Sequence, residues 1–94
     1  MAERDGKAPG ISVIVPFFNS AAYLENSIEA LLAASAKARS ETGEIELLFV
    51  DNGSSDDSVE ILGRYPRVRV LHEPERGSYA ARNCGLREAR GDII

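Results

Sequence analysis

The sequence holds one cysteine and one histidine, and these scarcities remove whole classes of chemistry. Cys84 alone cannot close a disulfide within the chain and offers no Cys-rich metal site, which fits a reducing compartment and a place on the cytosolic side. His72 has no second His or Cys at ligand spacing, so a loop or strand-end role is expected of it rather than metal binding. No apolar run approaches the ~18–20 residues that cross a bilayer, and Met1–Gly10 is too polar for a secretory signal. Positive charge is in deficit too: 11 Lys and Arg against 15 Asp and Glu leave a net −4, which argues against nucleic acid as a partner. At 94 residues the chain has room for one small domain and no second.

Hydrophobic residues make up 44% and charged residues 28%, close to ordinary soluble domains, so the chain is expected to bury a core. After a flexible leader over 1–10, Ile11-Ser-Val-Ile-Val-Pro-Phe-Phe18 is a nearly continuous apolar run that reads as a buried strand. Helical spacing follows from Ser20 to about Arg39, with Leu24, Ile28, Leu31 and Leu32 on one face. A turn over Ser40–Glu44 leads to a second buried strand, Ile45–Val50, with Asp51 at its carboxyl end. Asn52-Gly-Ser-Ser55 is a tight turn, and Ser54 with Asp57 resembles a capping box opening a short helix around Val59, Ile61 and Leu62. Val68–His72 alternates as a half-covered strand does, and a loop over Glu73–Gly77 enters a helix predicted over Ser78–Arg90. Gly91–Ile94 starts a fourth strand. The alternation implies a parallel α/β sheet with flanking helices and right-handed crossovers, the first half of a doubly wound fold cut at its fourth strand.

Such sheets bind ligands at the carboxyl ends of their strands, which directs attention to Pro16–Asn19, Asp51–Asp56 and Gly77–Asn83. Pro16 lacks an N–H and marks a strand end, with or without a ligand there. Asp51 suits two roles: accepting a hydrogen bond from a ribose hydroxyl or base N–H, or capping the turn beside it. Gly53 lets backbone come close, and Asp56 and Asp57 suit the first turn of a helix whose dipole favours negative charge. Arg82, in the first turns of the third helix, is placed either for a phosphate or for a surface ion pair. Cys84 sits among small residues and is expected to pack against the sheet.

Neither Gly-x-x-x-x-Gly-Lys-[Ser/Thr] nor a Gly-x-Gly-x-x-Gly after a strand is present, so the fingerprints of a P-loop NTPase and of a dinucleotide oxidoreductase are missing. What is present is a series: Ser12-Val-Ile-Val-Pro-Phe-Phe-Asn19, Phe49-Val-Asp-Asn-Gly-Ser-Ser-Asp56, Gly77-Ser-Tyr-Ala-Ala-Arg-Asn-Cys-Gly85 and Gly91-Asp-Ile-Ile94. In this order and spacing it resembles the family 2 glycosyltransferases, over nearly all of 11–94. The resemblance implies a Rossmann-like GT-A nucleotide-binding half and transfer of a sugar from a nucleotide-diphosphate donor to an acceptor that could be glycan, lipid or protein. It further implies that the backbone of Pro16, Phe17 and Phe18 and the Asp51 carboxylate hold the nucleoside. Asn19 and Glu25 would border the site, and Gly53, Ser54, Gly77, Arg82 and Asn83 would line it. Phe18 stands where the family commonly has tyrosine.

The family's Asp-x-Asp, which holds a divalent cation (Mg or Mn) and the diphosphate, normally follows the Gly-Asp-x-Ile strand, and the catalytic base lies further on. The resemblance thus makes 11–94 the incomplete N-terminal part of a transferase domain. It is expected to be inactive alone and to sit in the cytoplasm, or at the cytosolic face of a membrane in the full-length protein. A non-catalytic nucleotide-binding or interaction module, or an inactive remnant, stays open on the residues alone.

Overall fold

Strand β1, Ile11–Phe17, pairs in parallel with β2, Ile45–Asp51, in a register that sets Ile11 opposite Ile45 and Phe17 opposite Asp51. The computed structural model describes residues 10–93, so Met1–Pro9 of the expected leader and Ile94 of the expected fourth strand lie outside it. On the far side of β2 runs β3, Val68–His72, and beside the start of β1 runs β4, Asp92–Ile93, giving the parallel order β3-β2-β1-β4. Between successive strands lie α1 (Ala21–Thr42), α2 (Ser58–Leu62) and α3 (Ser78–Glu88). This is the parallel α/β arrangement that the strand and helix periodicities require.

β2 is central, and the side chains of 46–51 are all buried, which is why its sequence runs apolar rather than alternating. One face of the sheet carries Phe17, Leu47, Phe49 and Val68 under Leu24 and Ile28 of α1 and Leu62 of α2. The Phe17 and Phe49 rings meet there tilted, with centroids 6.4 Å apart, a geometry that suits their quadrupoles. The opposite face holds Val50, Ile14 and Leu71 against Ala81 and Cys84 of α3, so Cys84 packs against the sheet as expected. β3 is the half-covered edge, with Val68 buried and Arg69 and His72 exposed.

Four local expectations need correction. Pro16 does not end β1, which continues through it to Phe17. The Phe17 carbonyl accepts from the N–H of Asn52 at 3.0 Å, so neighbouring Pro16 turns its nitrogen the other way, where β4 pairs only with Ile11 and Ser12 among the described residues, and no ladder bond is lost. Helix α1 runs past Arg39 to Thr42, because the Thr42 hydroxyl donates to the Ala38 carbonyl at 3.1 Å and Gly43 N–H reaches Arg39 O at 2.8 Å. α3 stops at Glu88, two residues early, since Ala89 is extended and Arg90 is held elsewhere. The Ser54–Asp57 capping box does not form: Asp57 precedes α2 without a side-chain bond to it.

Gly85 lets α3 lie close on β1. A Cβ built there would stand 2.5 Å from Ile14 Cγ2, an atom on a branched carbon with little freedom to retreat. Gly85→Ala gains up to ~1 kcal/mol of helix propensity but overpacks this contact by about 2 kcal/mol, so denaturant unfolding should show a net loss. A stabilised variant would mean that the helix lies further from β1 than described.

Candidate functional site

Three loops meet at the carboxyl edge of the sheet: 18–20 after β1, 52–57 after β2 and 73–77 after β3. A cleft of about 210 Å³ opens between the first two of them and the start of α3, lined by Pro16, Phe17, Phe18, Asn52, Ser78 and Ala81. A larger hollow of about 460 Å³ lies at the opposite edge between Glu44–Leu47 and Pro66–Arg69. Its guanidinium groups already serve the fold, Arg67 on the Ile45 carbonyl and Arg69 and Arg90 on Glu46. The carboxyl-edge cleft is therefore the better site, where strand ends leave backbone free to face a ligand.

Asp51 is 7% exposed, yet both its carboxylate oxygens are engaged. Oδ1 accepts the Ser54 N–H at 2.8 Å, and Oδ2 stands 3.2 Å from Nδ1 of His72. Burial works against its ionisation, but the Ser54 N–H and hydroxyl and the His72 ring outweigh it and hold the carboxyl below its usual range. Asp51 therefore caps its turn, and because each oxygen has two acceptor positions it keeps capacity for a further donor.

Asn52, also buried, clamps the next loop. Its amide nitrogen donates to the carbonyls of Glu73 (3.0 Å) and Glu75 (2.7 Å), and its Oδ1 accepts from Gly77 N–H at 3.0 Å. Gly77 has φ of 116°, a conformation reserved for glycine, so clamp and turn residue specify the entry to α3 together. Phe18, 43% exposed, carries the Arg76 guanidinium 4.5 Å above its ring, joining the first and third loops by a cation–π contact.

Asn19 and Ser54 tie the first loop to the second. Asn19, in the left-handed region at φ 48° that asparagine tolerates, donates its N–H to Ser54 Oγ at 2.9 Å and accepts from Ser55 N–H at 2.8 Å. Ser20 and Ala21 N–H then reach Ser58 Oγ (2.9 Å) and Asp56 Oδ2 (3.1 Å). The start of α1 is thus capped by the loop after β2 and the first residue of α2, and Asp56 also accepts from Ser58 N–H at 2.9 Å. The Ser58 hydroxyl, with the Ser58 and Ala21 N–H groups, holds the Asp56 carboxyl below its usual range against partial desolvation.

The structure brings Pro16–Asn19, Asp51, Gly53, Ser54 and Gly77 to one edge. Arg82 and Asn83 face solvent on α3, with the Arg82 guanidinium 5.6 Å from the Tyr79 ring centre, and α3 presents Ser78 and Ala81 to the cleft instead. Glu25 is exposed on α1 beside Tyr65, whose hydroxyl donates to Glu29 at 3.1 Å. Partial burial, that bond and the charges of Glu29 and Glu25 push the Tyr65 phenol up. The Asn52 clamp was hidden in sequence within the turn motif, where asparagine is ordinary. Among the described residues no three His, Cys, Asp or Glu side chains converge to hold a metal ion, and no helix is long and apolar enough to cross a membrane.

Comparison with known proteins gives a consistent result. Residues 12–94 match the profile of Glycosyl transferase family 2. The uncharacterized glycosyltransferase EpsJ of Bacillus subtilis is 37% identical over 90 residues, covering 92% of this chain and 24% of its own length. Glycosyltransferase GlyG of Streptococcus pneumoniae is 38% identical over 89 residues, covering 89% and 28%. Among solved structures, TarS 1-349 of S. aureus superposes with a TM-score of 0.74 at 27% identity, over 90% of this chain and 26% of that one. Glucosyl-3-phosphoglycerate synthase of Mycobacterium tuberculosis, solved with Mn2+, UDP and glucosyl-3-phosphoglycerate, superposes at 0.62 with 26% identity, over 92% and 33%. The chain spans about a quarter of the relatives' length, and its parallel sheet with flanking helices matches the GT-A-like α/β fold of TarS over 90% of this chain. With motif order and topology in agreement and the profile matched over 12–94, the chain belongs to glycosyl transferase family 2.

Proposed function

We propose that this chain supplies the donor-nucleotide-binding part of a glycosyltransferase that moves a sugar from a nucleotide-diphosphate donor to an acceptor, on the cytosolic side. The observation that carries the reading is a cleft at the carboxyl edge of the sheet, walled by Pro16–Phe18, Asn52 and the start of α3, with the buried Asp51, its carboxyl held below the usual range, next along the chain to Asn52. In this reading the nucleoside enters between Phe17, Phe18 and the start of α3, and Asp51 accepts from its ribose or base. The apolar walls and the few fixed polar atoms match what nucleoside-sized ligands require. Asn19 and Ser54 shape the site by holding the first two loops together, Gly53 and Gly77 let backbone approach, and Ser78 and Ala81 of α3 form its further wall. The UDP and Mn2+ bound by the mycobacterial synthase support a nucleoside-diphosphate donor. None of the described residues is assigned to a divalent cation in this reading, no three His, Cys, Asp or Glu side chains among them being brought together.

Titration of the chain with UDP and GDP, followed by backbone NMR shifts, tests the reading. Weak binding with shifts at Pro16–Asn19 and Asp51–Ser54 is expected. Asp51→Ala should cost about 1.5–3 kcal/mol of it, a charged acceptor being lost. Undiminished binding by Asp51→Ala, or shifts clustered elsewhere, would overturn the assignment.

A further inference from the structure

We propose that His72 is a positioning residue for the Asp51 carboxylate, holding it in the one orientation that receives the nucleoside; this rests on the donor-site reading above. Asp51 and His72 are register partners at the carboxyl ends of adjacent parallel strands, so their side chains leave the same face of the sheet side by side. An ionised carboxylate only accepts hydrogen bonds. The hydrogen between His72 and Asp51 therefore belongs to Nδ1, which donates to Oδ2 across 3.2 Å. The carboxylate torsion of aspartate is broad and roughly two-fold, and the Ser54 N–H on Oδ1 holds only one oxygen. A second donor on the other oxygen fixes the plane of the group and with it the direction of the remaining acceptor positions. The His72 side chain is 63% exposed whereas that of Asp51 is 10% exposed. The imidazole thus stands on the edge strand as a brace with little buried area of its own, and its removal should affect the ligand more than the fold.

Three variants of the full chain, each measured for UDP affinity by calorimetry and for thermal stability, decide the matter. His72→Phe keeps a ring and loses the donor, and it should weaken UDP binding by roughly three- to ten-fold with a Tm near the parent's. His72→Asn places an amide nitrogen where Nδ1 stood and should restore affinity to within about two-fold. Long-range 15N correlation spectra of the imidazole should show the proton on Nδ1. Parent-like affinity in His72→Phe, failure of His72→Asn to rescue, or an Nε2-protonated ring would each overturn the proposal. If Asp51→Ala nevertheless loses UDP in those cases, the donor-site reading survives. If Asp51→Ala binds UDP as the parent does, that reading fails and takes this inference with it.

Discussion

Glu46→Ala should lower the stability of the chain by about 3 kcal/mol, more than truncation of any exposed charge. Glu46 interrupts the apolar run of β2 and is 8% exposed, and its carboxylate gathers the far edge of the sheet. Oε1 accepts the Ser12 hydroxyl at 2.8 Å and the Arg90 N–H at 3.0 Å, and Oε2 accepts Arg90 Nε at 3.0 Å. Ser12 Oγ in turn accepts Gly91 N–H at 2.9 Å. The guanidinium groups of Arg90 and Arg69 are on side chains 65% and 41% exposed, so water takes them over when the carboxylate is removed. The loss comes instead from the Ser12 hydroxyl and the Arg90 N–H, left without partners.

Burial opposes ionisation of Glu46, yet the Arg90 N–H, the Ser12 hydroxyl and the Arg90 guanidinium prevail and hold its carboxyl below the usual 4.5. A carboxyl lowered by folding adds stability that is fully present above its unfolded-state value and fades as pH falls through the folded-state one. The parent should therefore weaken on acidification below about pH 4.5, and Glu46→Gln should be weaker near pH 7 with a flatter acid limb. Urea midpoints at about pH 7 and about pH 3 would measure both. Parallel acid limbs for parent and Glu46→Gln would remove Glu46 from the account.

Asn52→Ala should cost about 2–3 kcal/mol, because it leaves the Gly77 N–H and the carbonyls of Glu73 and Glu75 without their partner. Asn52→Asp is the sharper test. It keeps an acceptor for Gly77 but sets a carboxylate oxygen against two carbonyls that offer no hydrogen, so it should be at least as damaging as alanine. Limited proteolysis should then cut within 73–77 before the rest of the chain opens. An Asp variant as stable as the parent would show that the amide does not point its nitrogen at the two carbonyls.

These two residues mark where sequence reading stopped. The elements themselves were legible: apolar runs specified β1 and β2, the spacing of Leu24 and Ile28 specified α1, and alternation in Val68–His72 specified the half-covered edge. So was the edge of the sheet at which the loops gather. Glu46 could not be read because its partners Ser12 and Arg90 lie 34 and 44 residues away along the chain, and its neighbours gave no sign that a buried charge was wanted. Arg90 was counted into α3 for the same reason, since helical spacing cannot register a carboxylate waiting on another strand. The expected Ser54–Asp57 box failed because the folded loops offer other partners: Ser54 serves Asn19 and Asp51, and Asp56 reaches back to Ala21. Capping followed the fold across two loops rather than the order of the chain.

The burial of Cys84 turns α3 into a helix whose motion can be timed. It is the chain's sole thiol, 8% exposed on the face of α3 that rests on Val50, Ile14 and Leu71, so a thiol-directed reagent reaches it when α3 lifts from the sheet. The labelling half-life then reports how often that lifting occurs, without any probe being introduced. Because Ser78 and Ala81 on this same helix also wall the cleft, a nucleotide seated there would have to leave, or be carried, each time the thiol is uncovered. The rate of a single covalent reaction thereby becomes a clock for the breathing of one wall of the cleft.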